Sequence, residues 1–292
     1  MTRHSPVVTA DWVARHRSDE HVVLVEITDG GPGPTGWIPG AVSLNWRTDL
    51  QHPVRRDVPD AAQIAATLGS LGIGPDDTIV LYSGNSNWWA TAAFWLLRVY
   101  GHRDLRLLDG GRARWEAQGG ELTFRRPERP PTAYPVPTAD LSLRATRTDV
   151  LDGIGRINLL DVRSLPEYLG DRTTPPDVPE DLHVRPGHVQ SAQHFPWDLH
   201  VRPDGCFRTP EELRAVYAEL DTTVPTVVYC RIGWRSSLVW FVLHELLGLP
   251  NVRNYDGSWQ EFGAMVGAPV VRGPLPWGEV RGTNERKETV DA

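Results

Sequence analysis

Thr226-Val227-Val228-Tyr229-Cys230-Arg231-Ile232-Gly233-Trp234-Arg235-Ser236-Ser237 is the stretch on which the fold of this chain turns. Its first four residues are apolar or β-favouring, as a short strand buried on both faces requires. From Ser236 to Leu247 a helical run follows, capped by Gly248 and stopped by Pro250. A strand, a short loop with a glycine and then a helix is the order of an open parallel sheet, whose strand ends are where ligands bind. Such a loop can curl so that several backbone N–H groups point inward, and it brings with them the unpaired N–H groups of the helix start. A cysteine at its mouth, with Arg231 and Arg235 close by, has its reactive thiolate form favoured. The plainer alternative is an inert, buried core cysteine. Two arginines, a glycine and a helix start crowded around Cys230 weigh against it.

Working outward, the same order of elements occurs twice. Val22-Val23-Leu24-Val25-Glu26, Gly36-Trp37-Ile38-Pro39-Gly40-Ala41, Thr78-Ile79-Val80-Leu81-Tyr82, a helical run from Trp88 to Tyr100 and Leu107-Leu108-Asp109-Gly110-Gly111 make one unit. Asn158-Leu159-Leu160-Asp161-Val162, Gly187-His188-Val189-Gln190-Ser191-Ala192, the Cys230 stretch and Asn254-Tyr255-Asp256-Gly257 make the second. Asp109 and Asp256 lie 147 positions apart, as do Trp115 and Phe262, so the halves keep step outside one insertion near Asp171 to Arg185. A period this long, carrying strand and helix signals in fixed order, reads as a duplicated domain. Pairing Tyr82 with Cys230, at an offset of 148, leaves the first half without a nucleophile.

The expected fold is therefore α/β: two tandem domains, each a parallel sheet flanked by helices. The boundaries read as residues 1–124, a Pro-rich linker at 125–145 whose prolines forbid a helix or central strand, a catalytic domain at 146–273 and a polar tail at 274–292. A 292-residue chain with 40% apolar residues can build both cores. Its net charge of -7 argues against nucleic acid as a partner, and no apolar run is long enough for a membrane span. Met1 to Arg17 lacks the apolar centre of a signal peptide. With only two cysteines, Cys206 and Cys230, there is no disulfide framework, and a reducing, cytoplasmic setting is expected. No spaced Cys/His set suggests a metal.

Cys230-Arg231-Ile232-Gly233-Trp234-Arg235 after a Val-Val-Tyr strand resembles the active-site loop of the two-domain rhodanese family. The likeness extends to Leu159-Leu160-Asp161-Val162-Arg163, Gly187-His188-Val189 and Asn254-Tyr255-Asp256-Gly257-Ser258-Trp259, and to the glycine segments of the first half. It implies two tandem rhodanese-like domains, of which only the second is catalytic. It further implies a ping-pong sulfur transfer in which Cys230 takes sulfane sulfur as a persulfide and hands it to a thiophilic acceptor, cyanide or a thiol, a protein thiol included. Arg231, Ile232, Gly233, Trp234 and Arg235 then form the cradle for the sulfur, and Arg185 is a candidate contact to the donor's anionic group. The resemblance implies no metal or organic cofactor, and a monomer is expected. The two loop arginines favour thiosulfate as the small anionic donor; 3-mercaptopyruvate is the alternative.

The remaining residues with chemistry to offer are weighed against structural roles. Asp161 at a strand end reads as an anchor, His188 as a packing or turn residue because its repeat-mate is Trp37, and Cys206 as non-catalytic. Arg172 is a candidate substrate contact, and Trp259 suits pocket and core equally. A cysteine-dependent phosphatase needs five residues between cysteine and arginine, whereas four separate Cys230 from Arg235. A non-enzymatic sulfur-binding module on the same fold is the other rival.

Overall fold

The computed structural model describes residues 5–30, 36–127 and 129–278. The first half runs β1 (Val7–Val8), α1 (Ala10–His16), β2 (Val22–Thr28), β3 (Val42–Asn45), α2 (Ala61–Ser70), β4 (Thr78–Tyr82), α3 (Trp88–Val99), β5 (Leu105–Leu108) and α4 (Gly111–Ala117). The second runs α5 (Arg147–Gly153), β6 (Asn158–Asp161), α6 (Leu165–Leu169), β7 (His188–Val189), β8 (Gln193–His194), α7 (Pro210–Val216), β9 (Thr226–Tyr229), α8 (Trp234–Phe241), β10 (Val252–Asn254), α9 (Ser258–Phe262) and β11 (Val270–Val271).

Two sheets result, with strand orders β1-β5-β4-β2-β3 and β10-β9-β6-β8, and every pair within them is parallel. The orders superimpose: β5, β4, β2 and β3 match β10, β9, β6 and β8. The counterpart of β1 is reduced to one parallel bridge, Arg144 with Asn254. A small antiparallel pair, β7 with β11, matches the first half's single bridge between Trp37 and Thr123. The central strands are buried on both faces, as their unbroken apolar sequences require.

The register of the two sheets corrects one expectation. Glu26 pairs with Tyr82 across β2 and β4, and Asp161 pairs with Tyr229 across β6 and β9. Tyr82 and Tyr229 also accept matching bonds, from the N–H of Ile38 and of Val189. The repeat-mate of Tyr82 is therefore Tyr229, and that of Cys230 is Ser83. The offset is the same 147 that relates Asp109 to Asp256. Ser83 accepts the N–H of Arg112 on its carbonyl, as Cys230 accepts that of Trp259. The first half thus carries a hydroxyl where the second carries a thiol.

Helices α3 and α8 face each other across the seam and are largely buried, because each is covered by its own sheet and by the other helix. Phe94 meets Phe241 edge-on at 4.8 Å, and one continuous apolar core runs through both halves. Arg144 ties the seam by reaching Asp57 and Asp256, each at 2.8 Å. Between residues 124 and 140 the chain has no regular structure among the described residues, as its prolines demand; a short 3-10 turn follows at Leu141–Leu143. Of the C-terminal tail, Leu275 and Pro276 dock by accepting bonds from the His188 ring and the Ser191 N–H, and residues 279–292 lie outside the described residues, as do residues 1–4 at the other end.

Candidate active site

Strand β9 ends at Tyr229, whose hydroxyl donates to Asp161 at 2.8 Å and so fixes where the next residue begins. Cys230 follows with its backbone pinned on both sides: its N–H donates to the Ser258 hydroxyl, and its carbonyl accepts from Trp259. Gly233 then adopts φ 97°, a conformation that L side chains rarely adopt. A Cβ there would lie 3.0 Å from both the Cα and the carbonyl oxygen of Asp256, so both conformation and space demand glycine. The turn aims the Gly233 N–H at the Cys230 sulfur, 3.2 Å away.

Helix α8 starts at Trp234, two residues earlier than the sequence suggested. Arg235 and Ser236 therefore lie in its first turn, where backbone N–H groups have no partner within the helix. Burial alone would push the Cys230 thiol up. The charge of Arg235, the N–H and hydroxyl of Ser236 and the N–H of Ile232 outweigh it and hold the pKa below the ordinary thiol value. The Ser236 hydroxyl is fully buried and has no conventional hydrogen-bond partner among the described residues, which leaves it free to serve the sulfur. Ser236 was not among the residues singled out in the sequence. Its only signal there is its place directly after Arg235.

Arg235 is not an open cation. Its guanidinium grips Glu167 through two bonds of 2.7 and 2.8 Å, and the Glu167 side chain is wholly buried. Burial would raise the Glu167 carboxyl, but Arg235, Arg163 and Ser164 bring it down to about 2. Glu167 is itself held by the Ser164 N–H and hydroxyl in the capping box of α6. Arg235 thus has Glu167 as its direct partner, and its charge bears on Cys230. Arg231, in contrast, makes no side-chain hydrogen bond or ion pair among the described residues, and its charge bears on Asp181 nearby.

Trp234 turns away into the seam, edge-on to Trp46 at 4.1 Å and to Trp89 at 5.9 Å. These rings, with Ile232, Gly233 and Gln260, line an interdomain cleft of about 610 Å³. Cys230 is not among its lining residues, and it is only 1% exposed.

The other candidates separate cleanly. Arg185 is exposed and is not among the residues lining the cleft, while its backbone carbonyl holds the Trp259 indole. Arg172 is committed to the carbonyls of Thr174, Pro175 and Pro176 in its own loop. Asp161 anchors the fully buried Arg163, which lies over the buried Trp259 ring at 4.2 Å. His188 is stacked on Tyr168 at 3.7 Å, with each ring nitrogen against a backbone carbonyl, and burial lowers its pKa. Burial, with Asp109 and Asp204 next to it, pushes the Cys206 thiol up to about 12. The Gly233 N–H bond and the charge of Arg235, with the neighbouring Ser236 and Ile232 groups, therefore bear on one cysteine sulfur, an arrangement suited to hold a thiolate or a sulfur anion bound to it.

Known proteins resemble this chain along nearly its whole length. The Rhodanese-like domain profile matches residues 9–118 and again residues 146–265. A protein of Mycolicibacterium smegmatis named "Putative thiosulfate sulfurtransferase" is 47% identical over 276 residues, spanning 94% of this chain and all of that one. The "Sulfur carrier protein TtuD" of Thermus thermophilus is 46% identical over 275 residues, 91% of this chain and 96% of that one. The crystal structure of SseA from Escherichia coli, described as a 3-mercaptopyruvate sulfotransferase, is 26% identical with a TM-score of 0.73 over 87% of this chain and 99% of that one.

Proposed function

We propose that this chain, which belongs to the rhodanese family, is a sulfurtransferase that takes sulfane sulfur from thiosulfate and passes it to a thiophilic acceptor through a Cys230 persulfide. The single observation that carries the reading is the convergence of the Gly233 N–H, the Ser236 groups and the Arg235 charge on one buried sulfur. The Cys230 thiolate attacks the outer sulfur of thiosulfate. The S–S bond of the donor breaks, and its electron pair leaves with sulfite. The persulfide carries one negative charge, as the thiolate did, so the same cradle serves both states without a proton. Cyanide or a thiolate acceptor then attacks the terminal sulfur, and the electron pair of the persulfide bond returns to Cys230.

Arg231 is the cation left to attract the dianionic donor, and Arg185 stands further out as a weaker candidate. A name that includes "sulfur carrier" among full-length relatives supports a protein thiol as one acceptor class. The monomeric state and the cytoplasmic location rest on the sequence reading, with two free cysteines and no described helix long and apolar enough to cross a membrane. The second reading, 3-mercaptopyruvate as donor, is favoured by the SseA likeness. Turnover measured beside each other on thiosulfate and 3-mercaptopyruvate, with cyanide as acceptor, decides between them. Thiosulfate is expected to give the higher kcat/KM, and a preference for 3-mercaptopyruvate overturns the choice of donor.

A further inference from the structure

The loop cation nearest the reactive sulfur is held in a neutral pair, and this sets up a test of sign. Around Cys230 the charged groups are Arg235 on α8, Glu167 on α6, Asp161 and Arg163 at the end of β6, Arg231 in the loop, Asp181 beyond it, and Asp256 behind Gly233. Asp161 and Arg163 neutralise each other in a fully buried pair, and Asp256 is taken by Arg144. Glu167 is left as the carboxylate that meets Arg235, and water does not screen it, because its side chain has no exposed surface. Three bonds end on its Oε2 atom, from the Ser164 N–H, the Ser164 hydroxyl and Arg235. That degree of fixing exceeds what a plain helix cap needs.

We propose that Glu167 is a positioning residue that moderates the field of Arg235 at Cys230, holding the guanidinium in place while cancelling part of its charge. The proposal rests on Cys230 being the nucleophile and adds what sets its reactivity. A bare arginine would favour the thiolate and the persulfide so strongly that sulfur would load readily and leave slowly. The bidentate carboxylate keeps both steps possible.

The test is a titration of the Cys230 thiolate, followed by ultraviolet absorbance and by alkylation rate, in a Cys206→Ser background with Cys230→Ser as blank. Glu167→Gln keeps an oxygen for Ser164 and Arg235 but removes the charge. The thiolate fraction on the acid side of the midpoint is expected to rise roughly threefold to tenfold. In single turnovers, loading from thiosulfate should hold or quicken, while discharge to cyanide slows by a similar factor. A merely structural Glu167 gives the opposite sign, because a loosened Arg235 withdraws its charge and the thiolate fraction falls. An unchanged or lower fraction overturns the proposal. If the single variant does not fold, Glu167→Asp is titrated instead, because it leaves no lone buried cation while drawing the carboxylate one methylene back from Arg235. The thiolate fraction should then rise by a smaller factor, and no rise overturns the proposal. A titration that moves as expected in protein that never forms a persulfide instead refutes the reaction assigned above and leaves the electrostatic role standing.

Discussion

Replacing Gly233 with Ala tests whether the loop geometry itself does the chemistry. The residue sits at φ 97°, and the added Cβ would meet the Asp256 Cα and carbonyl oxygen at 3.0 Å. The conformation alone costs about 1–2 kcal/mol for an L side chain. Two backbone contacts that cannot swing away add to it, for a loss of about 2–3 kcal/mol in stability. For domains of this size that is a fall in Tm of roughly 5–10 °C. To relieve the contact, the loop must lift the Gly233 N–H from the sulfur it meets at 3.2 Å. Losing one hydrogen bond to a charged sulfur is worth about 1.5–3 kcal/mol, or roughly tenfold to a hundredfold in kcat/KM. Gly248→Ala is the control, because Gly248 also has positive φ (74°) but has nothing within 4 Å of the added Cβ. It should lower Tm by about half as much and leave sulfur transfer unchanged. Both are read by thermal unfolding and by thiocyanate production from thiosulfate and cyanide, well below either Tm. Equal activities in the two variants, or a Gly233→Ala enzyme within twofold of the parent, refute the cradle as described.

Three further outcomes follow from the two cysteines and the buried pair. Cys230→Ser should abolish transfer while Cys206→Ser stays within a few-fold. Alkylation at neutral pH, traced by peptide mass, should mark Cys230 and leave Cys206, whose thiol is raised to about 12. Glu167, brought to about 2 in the folded chain from an ordinary 4.5, contributes stability that is fully present above its unfolded pKa and is lost as pH falls through the folded one. That contribution is on the order of 3 kcal/mol and should fall sharply in Arg235→Ala, so acid unfolding between about pH 4.5 and 2 is expected to be steeper in the parent than in the variant, by circular dichroism. Equal acid slopes would remove the pair from the account.

The duplicated parallel sheets were legible because buried strands write unbroken apolar runs, and because Asp109 with Asp256 and Trp115 with Phe262 keep a constant spacing. The same spacing, applied to Tyr82, leads to Tyr229. The mismatch with Cys230 arose from comparing loops by their place after a strand, and one residue of register changes which side chain sits at the strand end. The Cys230 loop was legible because its parts are contiguous. Glu167 was not, although Ser164-Leu165-Pro166-Glu167 is a capping-box pattern visible in sequence. The pattern announces a helix start and is silent on the arginine 68 positions away that the fold brings to it. Trp234 could not be placed for a related reason, since its partners, two tryptophans across the seam, are set by tertiary contacts alone, whereas Arg172 turns back onto carbonyls of its own loop and onto Glu180.

The central claim is a covalent intermediate, and intact mass tests it without knowledge of the physiological acceptor. Thiosulfate alone should raise the mass by one sulfur atom, about 32 Da, in protein that retains Cys230, and cyanide added afterwards should restore the mass and release one equivalent of thiocyanate. The cluster of Trp234 with Trp46 and Trp89 beside the loop should change its emission in step with loading. Protein that turns over thiosulfate yet never accumulates the heavier species, even with acceptor withheld, contradicts the account.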